Sequence, residues 1–449
     1  MNFGIWCTNY WEDFMNWRVK YKDKIVSPEE AAKRIEPGDV LCCSIAAGIP
    51  YATLDALSGE AERLRGTRID LGMGLKPIRP YMAKYNGLID IRSLFWGPLE
   101  RTFIKTGSKI AYQPVHLSDT TPDRTEYHRA SVVLSAGTPP DKNGMISLGP
   151  CPLDEIMCDT CRTVIVQVNE KLPYVKGVGC MFPIDKVDLL VDKSEDVPSI
   201  EPIPPSPEEA KIAGFIAERV PDGACIQLGI GGLGTAVGGF LKDKKELGIH
   251  TEMFVESMVD LIECGAVTNS RKNICPGKSV FGFALGSRHM YELMDGNPAF
   301  ETRPFSWVND PRIIAQNDNM VSINGALQLD LTGQVCAESI GMKQYSGTGG
   351  QVDFVRGAHW SKGGMSFIAL PSVRTDKAGN MFSKISISLP LGSAVTTLRS
   401  DVHYVVTEYG CVNIRNEPLD IRAERLISIA HPAFRDELRA QAKKEGLII

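Results

Sequence analysis

Two stretches of the chain, beginning at Ser27 and at Ser206, repeat one pattern of polar and apolar positions. Each opens with the letters SPEEA, in which serine favours the N-cap of a helix and proline suits its first turn. A Pro-Gly or Pro-Asp-Gly turn follows, and then an apolar run that reads VLCC in the first copy and CIQL in the second. A Gly-containing turn and a further helical pattern complete each copy. This alternation of helices and strands predicts an α/β fold with mainly parallel sheets.

A second strand-like run follows each copy at almost the same distance. Ile69 lies 42 residues after Ser27, and Ile249 lies 43 residues after Ser206. The matching order and spacing indicate that one α/β unit was duplicated. We therefore expect two domains that share one fold.

The length of the chain also favours two domains, because 449 residues exceed what one hydrophobic core usually serves. A proline- and acid-rich stretch, residues 192–207, suits an exposed linker between them. The sequence therefore predicts an N-terminal domain over residues 1–200 and a C-terminal domain over residues 201–449. Residues 1–20 are rich in tryptophan, and we expect them to form an arm that packs on the body or on a partner subunit.

Composition excludes several classes of protein. Hydrophobic residues make up 43% of the chain and charged residues 23%, which is ordinary for a globular protein. The net charge of −5 gives no reason to expect nucleic acid as a partner. The chain has no apolar run long enough to span a membrane, and its N-terminus lacks the features of a secretory signal. We therefore expect a cytoplasmic protein.

Twelve cysteines are scattered along the chain, and only Cys151, Cys158 and Cys161 lie close together. A single C-x-x-C pair without a second pair or nearby histidines is a poor zinc site. We expect no metal site, and reduced, mostly buried thiols.

The two copies differ at the turn after their first strand. The second copy reads GIGGLG, with Gly229, Gly231 and Gly234 in a G-x-G-x-x-G pattern, where the first copy reads SIAAGIP. Glycines let a ligand approach the backbone, and amides at the start of a helix favour an anion or a developing oxyanion. The next strand of the second copy brings Glu252, where the first copy has only Leu71 or Gly72.

These residues alone leave three interpretations open. In a dinucleotide-binding domain, the glycines would hold a pyrophosphate and an acid about 20 residues further on would bind ribose. Glu252 and Glu256 lie 18 and 22 residues after Gly234, but the apolar letters MFV follow Glu252, whereas a ribose acid should close its strand. The second interpretation is a tight turn with a salt-bridged glutamate. The third makes Glu252 a nucleophile beside backbone N–H groups.

Longer blocks of the C-terminal half carry a resemblance. NPAFETRPFSWVNDPRIIAQNDNMVSINGALQLDLTGQVCAESIG, YSGTGGQVDFVRGA and VTTLRSDVHYVVTEYG closely resemble the family I CoA-transferases. The sequence is most similar to the branch of butyryl-CoA:acetate and 4-hydroxybutyrate CoA-transferases, with their acetyl-CoA hydrolase relatives. The likeness covers nearly the whole chain from about Tyr21. It implies two duplicated α/β domains with the active site in the cleft between them.

The resemblance also implies the site residues. Glu252 matches the covalent nucleophile of the family. The positions that match family contacts to CoA or the oxyanion are Gly229, Ile230, Gly231, Gly232, Leu233, Gly349 and Gly350. Asn324, Glu408 and Lys377 match supporting polar positions. Other polar residues are expected to be mainly structural, including His250, His116 and Asp353.

The reaction implied by the resemblance moves CoA between a short-chain acyl-CoA, of butyryl or 4-hydroxybutyryl type, and a carboxylate such as acetate. It would proceed by ping-pong chemistry through a glutamyl-CoA thioester. A glutamate with an ordinary pKa of about 4.3 is ionised at neutral pH, so no general base is needed. CoA is then a substrate, and no tightly bound cofactor is expected. The family further implies a homodimer or a homotetramer.

Three alternatives remain at this point. An acyl-CoA hydrolase would use the same residues and differ only in whether water reaches the glutamyl intermediate. An NAD(H)-binding oxidoreductase would be built on the GIGGLG turn and would stay active when Glu252 is replaced by glutamine. A binding or scaffold protein would have kept the fold and lost turnover, although Glu252 and both glycine loops argue against it.

Overall fold

The computed structural model describes residues 17–449, so the first sixteen residues of the expected N-terminal arm lie outside the described residues. The described end of the arm packs onto the body, where Trp17 is buried in a hydrophobic cluster with Val133 and Val166. Arg18 beside it pairs with Glu170 and Asp192.

The chain forms two compact units. The first comprises the described residues up to Gln113 with Asp119–Ser199 and Arg288–Ser306, and the second comprises Pro114–Ser118, Ile200–Ser287 and Trp307–Ile449. The main division between the two units lies between Ser199 and Ile200. Sequence analysis did not foresee that residues 114–118 and 288–306 each group with the other unit.

Strands and helices alternate along the chain. The strands are β1 Ile25–Val26, β2 Val40–Cys43, β3 Thr67–Leu71, β4 Ile89–Ser93, β5 Ile110–Tyr112, β6 Val132–Gly137, β7 Met145–Ser147, β8 Thr163–Val168, β9 Met181–Pro183, β10 Leu189–Asp192, β11 Cys225–Leu228, β12 Gly248–Phe254, β13 Ser279–Ala284, β14 Phe300–Thr302, β15 Met320–Gly325, β16 Gln328–Asp330, β17 Val335–Cys336, β18 Ser339–Ile340, β19 Lys343–Gln344, β20 Met365–Ala369, β21 Val373–Thr375, β22 Met381–Ser383, β23 Ile385–Ser386, β24 Tyr404–Thr407 and β25 Gly410–Asn413. The α-helices are α1 Trp17–Lys20, α2 Pro28–Lys33, α3 Tyr51–Ala56, α4 Pro98–Lys105, α5 Thr120–Pro122, α6 Met157–Thr160, α7 Pro207–Ala217, α8 Gly232–Phe240, α9 Glu256–Glu263, α10 Arg288–Met294, α11 Phe305–Val308, α12 Pro311–Ile314, α13 Gln351–Trp360, α14 Leu419–Ile429 and α15 Pro432–Lys444.

Both SPEEA segments start helices, as predicted. Ser27 accepts a hydrogen bond from the backbone N–H of Glu30, whose carboxylate accepts one from the N–H of Ser27. Ser206 and Glu209 form the same capping box at the start of α7. Each box satisfies two backbone donors that a helix otherwise leaves without partners, and losing such a cap typically costs about 1 kcal/mol.

The two units share one strand order, which confirms a mainly parallel α/β architecture. In the first unit, the order is β1-β10-β8-β6-β2-β3-β4-β5, and all neighbouring strands are parallel. In the second unit, the order is β25-β24-β20-β15-β11-β12-β13, in which the run from β24 to β13 corresponds to the run β10-β8-β6-β2-β3-β4 of the first unit. Only β24 and β25 pair antiparallel within it, as a hairpin at the sheet edge.

The pairing register aligns the copies residue by residue. Val40 pairs with Arg68 between β2 and β3, and Cys225 pairs with Gly248 between β11 and β12. Gly72 lies four residues after Arg68, and Glu252 lies four residues after Gly248. Glu252 therefore corresponds to Gly72. The register thus identifies Gly72 as the counterpart, where the sequence left Leu71 or Gly72 open.

Side chains of the central strands alternate between two cores. In the first unit, Leu41 and Leu134 face one buried cluster, while their neighbours Cys42 and Val133 face another on the opposite side of the sheet. Such alternation follows from the two-residue period of a strand, and burial on both faces is typical of parallel sheets. The sheet is therefore a rigid frame whose strand ends position the loops.

Candidate active site

Strand β12 carries Glu252 in its interior. Every residue of Gly248–Phe254 is buried except Glu252, which keeps some exposed surface. Met253 and Phe254 continue the strand beyond it and pair with Phe283 and Ala284 of β13. Glu252 does not close its strand, so its position differs from that of a ribose-binding acid.

Two groups hold the Glu252 carboxylate. The side-chain amide Nδ2 of Asn309 donates a hydrogen bond to Oε2 at 3.0 Å, and the backbone N–H of Gly350 donates another. A Cβ atom on Gly350 would overlap both Oε2 and the Asn309 amide, so only glycine fits there. Gly349 has φ 59°, a left-handed conformation that favours glycine. The structure thus brings the predicted Gly349–Gly350 loop against the predicted nucleophile.

Burial changes the acidity of this carboxyl group. Removal from water raises the pKa of Glu252 from 4.5 to about 7, and the nearby charge of Asp353 raises it further, against the lowering effect of the hydrogen bonds from Asn309 and Gly350. The sequence-based expectation of an ordinary pKa is therefore wrong. The group is only partly ionised at neutral pH, because its surroundings disfavour the charge.

Asp353 is a second buried carboxylate beside Glu252. It lies in the first turn of α13, where Oδ1 accepts a hydrogen bond from the Ser118 hydroxyl at 2.8 Å and Oδ2 accepts one from the Ser118 N–H at 3.2 Å. The same Asn309 amide nitrogen that binds Glu252 lies 3.5 Å from Asp353 Oδ2. Burial raises the pKa of Asp353 to about 6, while the bonds from Ser118 and the charge of His116 lower it.

Asn309 was missed by sequence reasoning. It is fully buried and lies directly before Asp310, whose side chain caps α12 by accepting the N–H of Arg312. The letters NDP were a usable signal for a helix that starts at Asp310, because aspartate favours the N-cap and proline the first helical position. Nothing in the letters showed that this asparagine faces Glu252.

The GIGGLG turn joins β11 to α8 and has little room for side chains. The N–H of Gly229 donates to the carbonyl of Ile323 at 3.2 Å. Gly231 has φ 96°, and a Cβ atom on Gly234 would overlap the carbonyl oxygen of Gly229. Helix α8 starts without a side-chain cap, so its first amides are left available for a ligand.

A pocket of about 190 Å³ opens at this turn. All five predicted positions of the GIGGL segment line it, with Glu209, Ile212, Ile323 and Pro371 among the other walls. Gln351 connects the pocket wall to the Glu252 loop, because it follows Gly350 and donates from Nε2 to the carbonyl of Gly325, a lining residue, at 2.8 Å.

Asn324 lies at the end of β15, between two residues that line the pocket. Its amide donates to the hydroxyl of Ser322 at 2.8 Å and to Gln227 at 3.3 Å. The hydrogen bonds of Asn324 thus belong to a buried polar network on the sheet and connect it with the pocket side of the site.

Glu408 also lies by the pocket, since its carboxylate accepts two hydrogen bonds from Ser372, the residue after the lining Pro371. Lys384, which sequence reasoning missed, lies near Glu408 and Glu209. Burial lowers the pKa of Lys384, and these two carboxylates oppose that effect. Lys377 is different, because it is exposed in the turn between β21 and β22.

His250 packs against the residues that precede Asn309 in the chain. It is fully buried, and its Nε2 donates to the carbonyl of Val308 at 2.8 Å, so this nitrogen carries the proton. Its ring lies against Trp307 and Phe354, with centroids 5.6 and 6.1 Å away. These contacts, with Trp307 and Val308 just before Asn309 in the chain, fit the structural role expected for His250.

Burial raises the pKa of the Cys158 and Cys161 thiols to about 12, and residues 17–449 contain no cluster of three or more side chains arranged to hold a metal ion. Among the helices of the described chain, none has the length and apolar character needed to cross a membrane.

Comparison with known proteins identifies the family of the chain. Residues 11–201 match the acetyl-CoA hydrolase/transferase N-terminal domain, and residues 286–442 match the C-terminal domain of the same family. The chain therefore belongs to the acetyl-CoA hydrolase/transferase family, and it is a CoA-transferase by class. This membership excludes the dinucleotide-binding oxidoreductase as an interpretation of the GIGGLG turn.

Individual relatives are similar to this chain over nearly its whole length. The succinyl-CoA:cyclohexane-1-carboxylate CoA transferase of Geobacter metallireducens is 39% identical over 96% of this chain and 98% of its own length. The butyryl-CoA:acetate CoA-transferase of Anaerostipes caccae is 37% identical over 96% and 98%. The crystal structure of 4-hydroxybutyrate CoA-transferase from Porphyromonas gingivalis superposes with a TM-score of 0.77 at 30% identity, covering 96% of this chain and all of that one.

Proposed function

We propose that the protein moves CoA between a short-chain acyl-CoA and a free carboxylate, with Glu252 as the covalent acyl acceptor. The observation that supports this most is the environment of the Glu252 carboxylate. It projects from a rigid strand, is held by Asn309 and Gly350, and keeps a partly exposed surface in an otherwise buried strand. A carboxylate that is positioned and partly stripped of water is a better nucleophile than one in solution.

In the first step, ionised Glu252 attacks the carbonyl carbon of the acyl-CoA thioester. The carbon–sulfur bond breaks, CoA leaves as a thiolate, and a mixed anhydride forms on Glu252. Negative charge develops on the former thioester oxygen during the attack. Backbone N–H groups of the Gly229–Leu233 turn supply donors for it, and one such donor is typically worth about 3–4 kcal/mol.

In the second step, the thiolate attacks the glutamyl carbonyl of the anhydride. This produces a glutamyl-CoA thioester and releases the first acyl group as a carboxylate. A second carboxylate then enters and the steps run in reverse, so CoA is transferred without ATP or a metal in the proposed scheme. No general base takes part in these attacks, because Glu252 reacts in its ionised form, and the CoA thiolate and the incoming carboxylate are anions.

The long CoA molecule offers binding energy away from the reacting bond. We assign its contacts to the Gly229–Leu233 turn and the Gly349–Gly350 loop, which lie on the pocket side and the carboxylate side of the site. Glu408 and Asn324 hold the pocket walls in this proposal. Lys377, on its exposed turn, would reach only a distant part of CoA.

The relatives supply the proposed substrates. Their names point to butyryl-CoA or a 4-hydroxybutyryl-type thioester as donor and acetate as acceptor, with succinyl-CoA as a second donor to test. We also carry over the expectation of a homodimer or homotetramer, which light scattering of the purified protein measures directly.

A time course of CoA species after mixing the protein with butyryl-CoA and excess acetate tests the proposal. We expect acetyl-CoA to appear one-for-one with butyryl-CoA loss, without free CoA, and Glu252→Gln to abolish it by a factor on the order of 10⁴. Glu256→Gln is the matched control, because Glu256 lies four residues further on, at the start of α9, and its carboxylate accepts hydrogen bonds from the Ser287 N–H and hydroxyl.

Two results would change the conclusion. Free CoA accumulating equally with and without acetate would make the protein a hydrolase that uses the same residues. Full transfer by Glu252→Gln would remove Glu252 from the chemistry.

A further inference from the structure

Two buried carboxylates of this site share a single amide. Asn309 Nδ2 donates to Glu252 at 3.0 Å and lies 3.5 Å from Asp353. Two carboxylates that share one amide donor in a buried site disfavour each other's ionised form, and the effect is large where water is excluded. The arrangement is therefore costly whenever both groups carry a charge.

The two carboxylates are not equally supported. Asp353 receives both the hydroxyl and the N–H of Ser118, and the charge of His116 stabilises its ionised form. Ser118 is held in place in turn, because its neighbour Leu117 donates from its N–H to the carbonyl of Gly349. Asp353 thus keeps its charge more easily, and the energetic cost of the pair falls on Glu252.

The proposed reaction removes exactly one of these charges. When Glu252 is converted to a glutamyl-CoA thioester, its negative charge departs with the released carboxylate. The repulsion from Asp353 ends at that moment, so the free enzyme carries an unfavourable interaction that the covalent intermediate lacks. An interaction that raises the ground state and disappears along the reaction promotes the forward step.

We propose that Asp353 is a positioning residue whose fixed charge shifts the equilibrium from free Glu252 toward the glutamyl-CoA thioester. This inference rests on the proposed function of Glu252. The segment Pro114–Ser118, which clusters with the second unit, then has a defined task. Its Ser118 fixes the position of the Asp353 carboxylate through two hydrogen bonds.

Other charged groups around the pair are accounted for. His116 faces Asp353 from the segment 114–118, and His250 on β12 points to Val308. Asp310, next to Asn309, is neutralised by its ion pair with Arg312. Asp353 is accordingly the carboxylate whose charge acts on Glu252.

The pH dependence follows from the same interaction. The raised pKa of Glu252, about 7, means that acid protonates the nucleophile and kcat/KM falls below that pH. Asp353→Asn removes the repulsion but leaves the burial, so the acid limb should move to lower pH by up to about one unit while remaining above the ordinary value for glutamate.

The test uses intact-protein mass spectrometry of the whole enzyme at a fixed ratio of butyryl-CoA to butyrate. We expect the ratio of CoA-adduct to free enzyme to fall about threefold to tenfold in Asp353→Asn, in step with its altered pH profile. Ser118→Ala keeps the charge but weakens its support, so it should change the ratio in the same direction by less. This second variant also covers the case in which Asp353→Asn folds poorly.

Glu256→Gln is again the control, because Ser287 holds Glu256 through its N–H and hydroxyl just as Ser118 holds Asp353. An unchanged adduct ratio and acid limb in both Asp353→Asn and Ser118→Ala, with wild type forming the adduct, would overturn this inference alone. Failure of the wild type to form any adduct would overturn the proposed role of Glu252 as well.

Discussion

The two copies of the α/β unit keep the same backbone where their side chains differ most. The N–H of Ser44 in the first copy donates to Leu134 at 3.1 Å, and that of Gly229 in the second donates to Ile323 at 3.2 Å. Two residues further on, Ala46 has φ 49° and Gly231 has φ 96°. Both copies thus have a residue with positive φ at this point, although such a φ is costly for alanine.

The two turns differ in the side chains that fill the space around them. In the first copy, the Ser44 hydroxyl donates to the carbonyl of Cys151 at 2.6 Å, and a Cβ atom on Gly48 would overlap both residues. In the second copy, glycines leave the turn open as a pocket. The next strand carries Glu252 where the first copy has Gly72. The second copy thus differs from the first in two features: a turn without bulky side chains, which leaves a pocket, and a carboxylate on the neighbouring strand.

The largest effect should come from crowding the carboxylate of the second copy. In Gly350→Ala, the new methyl group would overlap Glu252 Oε2 and the Asn309 amide, so the nucleophile must move. We expect kcat to fall about 10²- to 10³-fold, since small misplacements of reacting groups have effects of this order. Steady-state kinetics measure it.

Gly239→Ala serves as the control for this substitution. Gly239 lies in α8 with open space around its Cβ position, so alanine should leave activity intact and favour the helix by about 0.5–1 kcal/mol. Wild-type kinetics in Gly350→Ala would contradict the close packing of the loop on Glu252.

A stability difference should follow from the carboxyl group of Glu252, because the first copy has Gly72 at this position. A carboxyl group whose pKa is raised on folding, here to about 7, destabilises the fold at higher pH, and this cost vanishes as pH falls below the ordinary value. Glu252→Gln should therefore be more stable than wild type at pH 8, by an upper limit of about 3 kcal/mol, and equal to it near pH 4. Urea unfolding at both pH values measures the difference; a gap that widens in acid would show the opposite shift.

A smaller effect should come from making the second turn resemble the first. Gly229→Ser introduces the hydroxyl that the first copy has at Ser44, and a Cβ atom there would meet only Ile323 at an ordinary distance of 3.7 Å. We expect the fold to tolerate it and KM for acyl-CoA to rise about tenfold, because the side chain enters the pocket. An unchanged KM would separate the pocket from CoA binding.

Much of the frame was predictable from the sequence, because its signals are local. The two SPEEA openings predict capped helices through their own letters, and the matching order and spacing of the apolar runs predict two α/β units that share one fold. Glu252 and the two glycine loops stood out because the copies differ there. The resemblance of the C-terminal blocks then gave their roles.

The rest of the site depends on contacts between distant parts of the chain. Asn309 lies 57 residues from Glu252 and Ser118 lies 235 residues from Asp353, so no periodicity or short motif connects them. The raised pKa of Glu252 likewise arises from burial and from Asp353. These effects exist only after folding, which explains why the sequence predicted an ordinary carboxylate.

The central claim is that Glu252 of the second copy is the nucleophile that becomes covalently bound to CoA during transfer. Its most direct test is peptide mapping by mass spectrometry after the protein has been incubated with acyl-CoA and quenched in acid. We predict a CoA thioester on the peptide that contains Glu252, and its loss when acetate is added in excess. Rapid acyl transfer with the adduct on another residue, or with no adduct at all, would contradict the account.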